Sequence, residues 1–332
     1  MEWLDAMRGL AMLMVIYTHQ VLGSPLERIE GTVRVFGLFM LPMFFFISGF
    51  LAVSSSSLSF GVKIRRLSRQ LLLPTIVVYV IHALVYGHPF DPFDQMKGGY
   101  WFLPTLFVMD VIAFALFKFL KHITFGWKIV IVCLLIIADK LIMSVAYRYG
   151  LLNLPLSKAF QIPLFLTFLT PFLFGILTKY IEKPLFSYVC RNPYGFAILI
   201  GIFILLCYLP FSLVGFLMVS MGTLIIFLVM KMMGEYFSSN GSIISRFLIV
   251  CGKNTLGLYL LHYFVLQSIV CHFSSSLLTS MDMIHNPLMQ LVIIGFSSVV
   301  TALITLLGIK IIKLSPVLSL LCLGQSIVKA KE

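Results

Sequence analysis

The feature that most constrains this chain is a recurring run of about twenty residues with scarcely a charge in it. A helix advances about 1.5 Å per residue, so roughly 20 apolar residues match the hydrocarbon core of a bilayer. Ten such spans are expected: Leu4–Gly23, Val35–Val53, Gln70–Gly87, Tyr100–Leu120, Lys128–Val145, Ala159–Thr178, Tyr194–Pro210, Phe211–Met233, Thr255–Phe273 and Leu288–Ile309. In lipid every backbone N–H and C=O must be bonded inside the protein, which leaves helices or a closed barrel. The runs are continuous rather than alternating, which excludes a barrel. The expected fold is therefore all-α, a polytopic transmembrane helix bundle of about ten spans. A soluble domain carries about 25% charged residues, whereas this chain carries 11% over 332 residues. No internal repeat or soluble insert interrupts the pattern, so residues 1–332 are expected to form a single membrane-embedded domain. Asp5 and Arg8 interrupt the first run and no small-residue cleavage site follows. That run is expected to be a retained span rather than a cleaved signal. Leu314–Leu323 is too short to span and is expected at the interface or beneath the bundle.

Lys and Arg concentrate on the cytoplasmic side of membrane proteins. With the N-terminus inside, eighteen of the 24 basic residues fall on that side, leaving Arg28, Arg34, Lys97, Lys140, Arg148 and Lys158 outside. Most loop acids (Glu27, Glu30, Asp91, Asp94, Asp139 and Asp282) are placed on the outer side. Both termini are thus expected in the cytoplasm. The net charge of +12 is mostly this orientation signal, together with attraction to anionic headgroups. Basic residues scattered over many short loops exclude a nucleic-acid groove. None of the six cysteines shows metal-ligand spacing, so no metal site is expected and the thiols read as small buried hydrophobes.

An ionisable group inside a span is a functional candidate by default. The first span holds Asp5, Arg8 and His19. At 100° per residue, Arg8 and His19 share one face about 16 Å apart, and Asp5 lies one turn before Arg8, in reach of an ion pair. The bland readings are interfacial anchoring for Asp5 and Arg8 and a hydrogen-bonded core imidazole for His19. The segment Lys63-Ile64-Arg65-Arg66-Leu67-Ser68-Arg69 is expected to form the first cytoplasmic loop. Arg66 and Arg69 present forks suited to phosphate, against the reading of ordinary inside-positive charge. Trp101 opens the fourth span as a belt or pocket residue. Asp110, in the middle of that span, needs a partner, a proton or water. Tyr259 and His262 lie three apart on one face of the ninth span, and Ser48 and Gly49 offer a neighbouring helix a close approach.

In order along the chain, these pieces resemble the acyltransferase-3 family of integral-membrane O-acyltransferases. Leu4-Asp5-Ala6-Met7-Arg8-Gly9 with the following His19 resembles its opening and its Arg-x10-His spacing. The run from Phe44 to Leu51 resembles its second-span signature, and Arg66-Leu67-Ser68-Arg69 before Leu72-Leu73-Pro74 its Arg-x-x-Arg motif. Tyr100-Trp101-Phe102-Leu103 and the stretch from Gly252 to Tyr259-Leu260-Leu261-His262 resemble two later segments. Family members with an attached periplasmic hydrolase-like domain are far longer, so this chain is expected to be a stand-alone member.

The resemblance implies transfer of an acyl group, usually acetyl, from cytoplasmic acyl-coenzyme A (acetyl-coenzyme A) to a hydroxyl of a sugar or lipid-linked glycan. It also implies a bacterial plasma membrane. No permanently bound cofactor is expected; the partners are the lipid bilayer, the thioester donor and the glycan acceptor. On this reading His19 acts as general base on the acceptor hydroxyl or briefly accepts the acyl group, Arg8 or its ion pair with Asp5 lies on the donor path, and Arg66 and Arg69 meet the coenzyme A phosphates. Trp101, Asp110, Tyr259 and His262 are further pocket candidates. The competing reading is a secondary transporter or exporter, which the intramembrane Asp110 and histidines permit. The chain shows neither the paired broken helices nor the two-fold repeat that many transporters carry. A non-catalytic scaffold leaves the Arg-x10-His seam unexplained.

Overall fold

The computed structural model describes residues 1–22, 30–53, 59–87, 91, 93–238, 241–266, 276 and 287–325. Among these every regular element is helical, as the continuous apolar runs require. The order is α1 (Glu2–Leu22), α2 (Glu30–Ala52), α3 (Phe60–Leu67), a π-helical turn (Ser68–Leu72), α4 (Leu73–Tyr86), α5 (Phe102–Leu120) and α6 (Phe125–Arg148). There follow α7 (Pro155–Ala159), α8 (Ile162–Arg191), α9 (Pro193–Tyr208), α10 (Phe211–Met232), α11 (Ile243–Lys253), α12 (Thr255–Val265), α13 (Pro287–Ile312) and α14 (Pro316–Leu323). Arg28, the Ser54–Ser57 link and the end of the expected ninth span, through Phe273, lie outside the described residues.

Seven helical segments are long and apolar enough to cross a membrane unaided: Val35–Ala52, Phe60–Tyr86, Phe102–Leu120, Phe125–Arg148, Ile162–Val189, Val214–Met232 and Leu288–Ile312. These match seven of the ten expected spans. The apolar stretch of α9, Tyr194–Tyr208, is shorter than a span. α1 is long enough, but its polar residues keep it out of the apolar set. The described part of the expected ninth span, Thr255–Val265, is α12, and α11, just before it, meets it at 92°.

Three sequence expectations are corrected. The Lys63–Arg69 segment is helical rather than a loop, because Ile64 and Leu67 recur at helical spacing and carry the chain through the π turn into α4. Residues 243–253, read as a connection, form α11, whose Ser242 side chain accepts a hydrogen bond from the Ser245 backbone N–H; that is an ordinary N-cap. Asp139 and Lys140 are not in an outer loop. Asp139 is buried within α6, where its carboxylate pairs with Lys140 at 2.9 Å and accepts a hydrogen bond from Thr170 at 2.8 Å.

The helices group into two compact units. The first comprises residues 1–41 and 230–332. Its most extensive pairing is α1 on α11, followed by α12 and α1 on α13. A Cβ on Gly9 would collide with the Leu248 carbonyl, and one on Gly252 with the Asp5 carbonyl, so the α1 and α11 backbones touch. Small residues at a helix crossing permit this approach. α14 packs under α12 and α13, one of its two expected placements. The second unit comprises residues 42–229. There Gly49 of α2 meets the Phe172 backbone of α8, and Gly175 of α8 meets the Phe46 carbonyl. The close approach expected at Gly49 is therefore made.

Candidate functional site

In the first unit the site is assembled from α1 and the α11–α12 elbow. Asp5 and Arg8 pair at 3.0 Å, as their one-turn spacing predicts, and neither is fully buried. Gly252 lets α11 approach the backbone at Asp5. One residue later α11 stops. Asn254 Nδ2 donates to the Val250 carbonyl at 2.8 Å, and Thr255 Oγ1 donates to the Gly252 carbonyl at 2.6 Å. Carbonyls that the ended helix leaves orphaned are satisfied by these side chains. The chain can therefore turn through 92° without stranding polar backbone in an apolar layer.

The turn sends α12 along the far part of α1, where it meets His19. His19 Nδ1 and His262 Nε2 lie 3.2 Å apart, and His19 Nε2 and the Tyr263 hydroxyl lie 3.3 Å apart. The rings are layered, with His19–His262 centroids at 5.2 Å and His19–Tyr263 centroids at 4.8 Å. His262 is fully buried, its Nδ1 lies 2.9 Å from the Leu258 carbonyl oxygen, and Tyr259 packs 6.3 Å away. His19 is less buried than His262. Next on α1, Gln20 accepts a hydrogen bond from Ser298 of α13 at 3.1 Å. The sequence placed His19, Tyr259 and His262 in the site but missed Tyr263. Its signal was adjacency to His262, which lets two consecutive side chains of one helix flank the same imidazole.

In the second unit the donor-side candidates lie on α3, the π turn and α5. Arg66 is exposed, whereas Arg69 sits in the π turn with its Nε buried and without a hydrogen-bond partner. Such turns recur at functional positions because the extra residue redirects side chains. Lys63 is buried on the same stretch, and its charge attracts Asp110 of α5. Trp101, about 13 Å from Asp110 along the helix, is buried rather than turned out to the interface. It stacks on Phe168 of α8 with centroids 5.4 Å apart. Among the described residues no three His, Cys, Asp or Glu side chains are grouped to hold a metal.

Seven helical segments long and apolar enough to cross a bilayer define a multi-pass membrane protein. The chain belongs to the Acyl_transf_3 family, whose model, described as an acyltransferase domain, matches residues 1–307. Searches of curated proteins and of solved structures found no match. The protein is thus a membrane acyltransferase.

Proposed function

We propose that this protein transfers an acyl group, acetyl in the first instance, from acyl-coenzyme A to a hydroxyl of a sugar or lipid-linked glycan, with His19 as general base. The observation that carries this reading is the His19 ring, whose two nitrogens face His262 and Tyr263. A neutral imidazole so held takes the proton of the acceptor hydroxyl as that oxygen attacks the thioester carbonyl. The carbon–sulfur bond breaks, and the departing thiolate takes the proton back from the imidazolium. General-base assistance of this kind is worth about 10²–10⁴-fold. Arg66 and Arg69 bind the coenzyme A phosphates, and the Asp5–Arg8 pair supplies charge on the donor path while Asp5 keeps Arg8 compensated. Both termini face the cytoplasm of a bacterial plasma membrane, as the basic residues favour. Coenzyme A is then available on the side where most of them lie.

The test follows label from acetyl-coenzyme A into glycan in membranes containing the wild-type chain or His19→Ala. Label should enter glycan with the wild type and fail to do so with the variant. Wild-type transfer by an inserted His19→Ala protein would remove His19 from the mechanism.

A further inference from the structure

The contacts of His262 give the site a direction. Its Nδ1 faces the Leu258 carbonyl oxygen at 2.9 Å, and a carbonyl only accepts, so Nδ1 carries the hydrogen. His262 is fully buried, where an uncompensated charge is costly, so the ring is neutral and has one N–H. Its Nε2 therefore presents a lone pair, and the nitrogen 3.2 Å away, His19 Nδ1, is the donor. In neutral His19 that leaves Nε2 bare, facing the Tyr263 hydroxyl at 3.3 Å, which donates to it. The polarity runs without conflict from Tyr263 through His19 and His262 to a backbone carbonyl of the same helix.

On the reading that His19 is the base, we propose that His262 is a positioning residue. It holds His19 in the Nδ1–H tautomer, so that the bare Nε2 receives the acceptor's proton. The Tyr263 hydroxyl occupies the place of a donor to that nitrogen, and the acceptor hydroxyl replaces it there. The reacting proton never reaches His262. Its work is to accept one hydrogen bond and thereby exclude the tautomer whose Nε2–H cannot act as a base. A backbone carbonyl sets the whole arrangement, because Leu258 lies one turn before His262 on α12.

The experiment uses the full chain with ¹⁵N-labelled histidine in lipid nanodiscs, read by solid-state NMR and by transfer kinetics. In the unaltered protein, ring nitrogen shifts should show His19 and His262 both as Nδ1–H tautomers; an Nε2–H His19 overturns the proposal without any variant. His262→Leu removes the acceptor and should lower kcat about a hundredfold, with KM for acyl-coenzyme A within about twofold. Its His19 signal should shift toward the Nε2–H form. His262→Gln returns an acceptor oxygen and should recover about tenfold of that loss. Unchanged kcat in folded His262→Leu, or no difference between the Leu and Gln variants, overturns the proposal. His19→Ala separates the two levels. If that variant is active, the base assignment falls; if it is inactive while His262→Leu is fully active, only the positioning role falls.

Discussion

Helices α1 and α6 are alike in length, at 21 and 24 residues, and opposite in use. α6 has the highest mean hydropathy of the seven apolar helices, 2.6, yet only 22% of its span is buried. α1 does not reach that apolar set, yet Ala6, Met7, Ala11, Met12 and Ile16 on it are wholly buried. Hydrophobicity points inward only where the outside is water. In lipid both sides of a helix are apolar, so what must turn inward is polarity, and small residues and hydrogen bonds fix which helices touch. Hydropathy therefore ranks these two helices in the reverse order of their burial. Where α6 does carry charge, at Asp139, that carboxylate is turned to Thr170 of α8.

The contrast can be broken most decisively at the α1–α11 crossing. Gly252→Leu drives a side chain into the Asp5 carbonyl, and overpacking alone costs about 1–3 kcal/mol. The expected outcome is loss of the monodisperse folded peak in detergent gel filtration; a normal peak would show that the contact is not needed. Next in size, Arg66→Ala with Arg69→Ala should raise KM for acyl-coenzyme A about tenfold at nearly constant kcat. Steady-state kinetics with varied donor checks this, and an unchanged KM would separate these arginines from the donor. Asp5→Ala should lower stability by about 1 kcal/mol, because the pair it breaks is only partly buried. A double-mutant cycle with Arg8→Ala, read by thermal unfolding, isolates the coupling. Smallest of all, Leu134→Ala on the lipid-exposed face of α6 should change stability by less than about 0.5 kcal/mol. A larger loss would mean that this face is covered.

Much of this was legible in the sequence because membrane helices announce themselves over twenty residues at a time. Seven of the expected spans are found, five of them within three residues of the expected bounds and two as longer helices, Phe60–Tyr86 and Ile162–Val189, and the Asp5–Arg8 pair follows from spacing alone. What escaped was local. α11 is short and follows a polar stretch, so an apolar window does not register it, although Ser242 before Ile243-Ile244 is a usable cap signal. Lys63 read as a loop charge because the helix through it is amphipathic rather than apolar. The joining of His19 to His262 and Tyr263 spans 243 and 244 residues. No periodicity connects positions so far apart; the 92° elbow does.

That distance has a consequence for biogenesis. α1 leaves the ribosome first, and its partner α12 follows 243 residues later, roughly 10–50 s at about 5–20 residues per second. Through that interval Asp5 and Arg8 can neutralise each other within their own turn, whereas the contact between His19 and His262 must await α12. The helix on which the chemistry is proposed thus emerges before the partner of its histidine, which is synthesised 243 residues later.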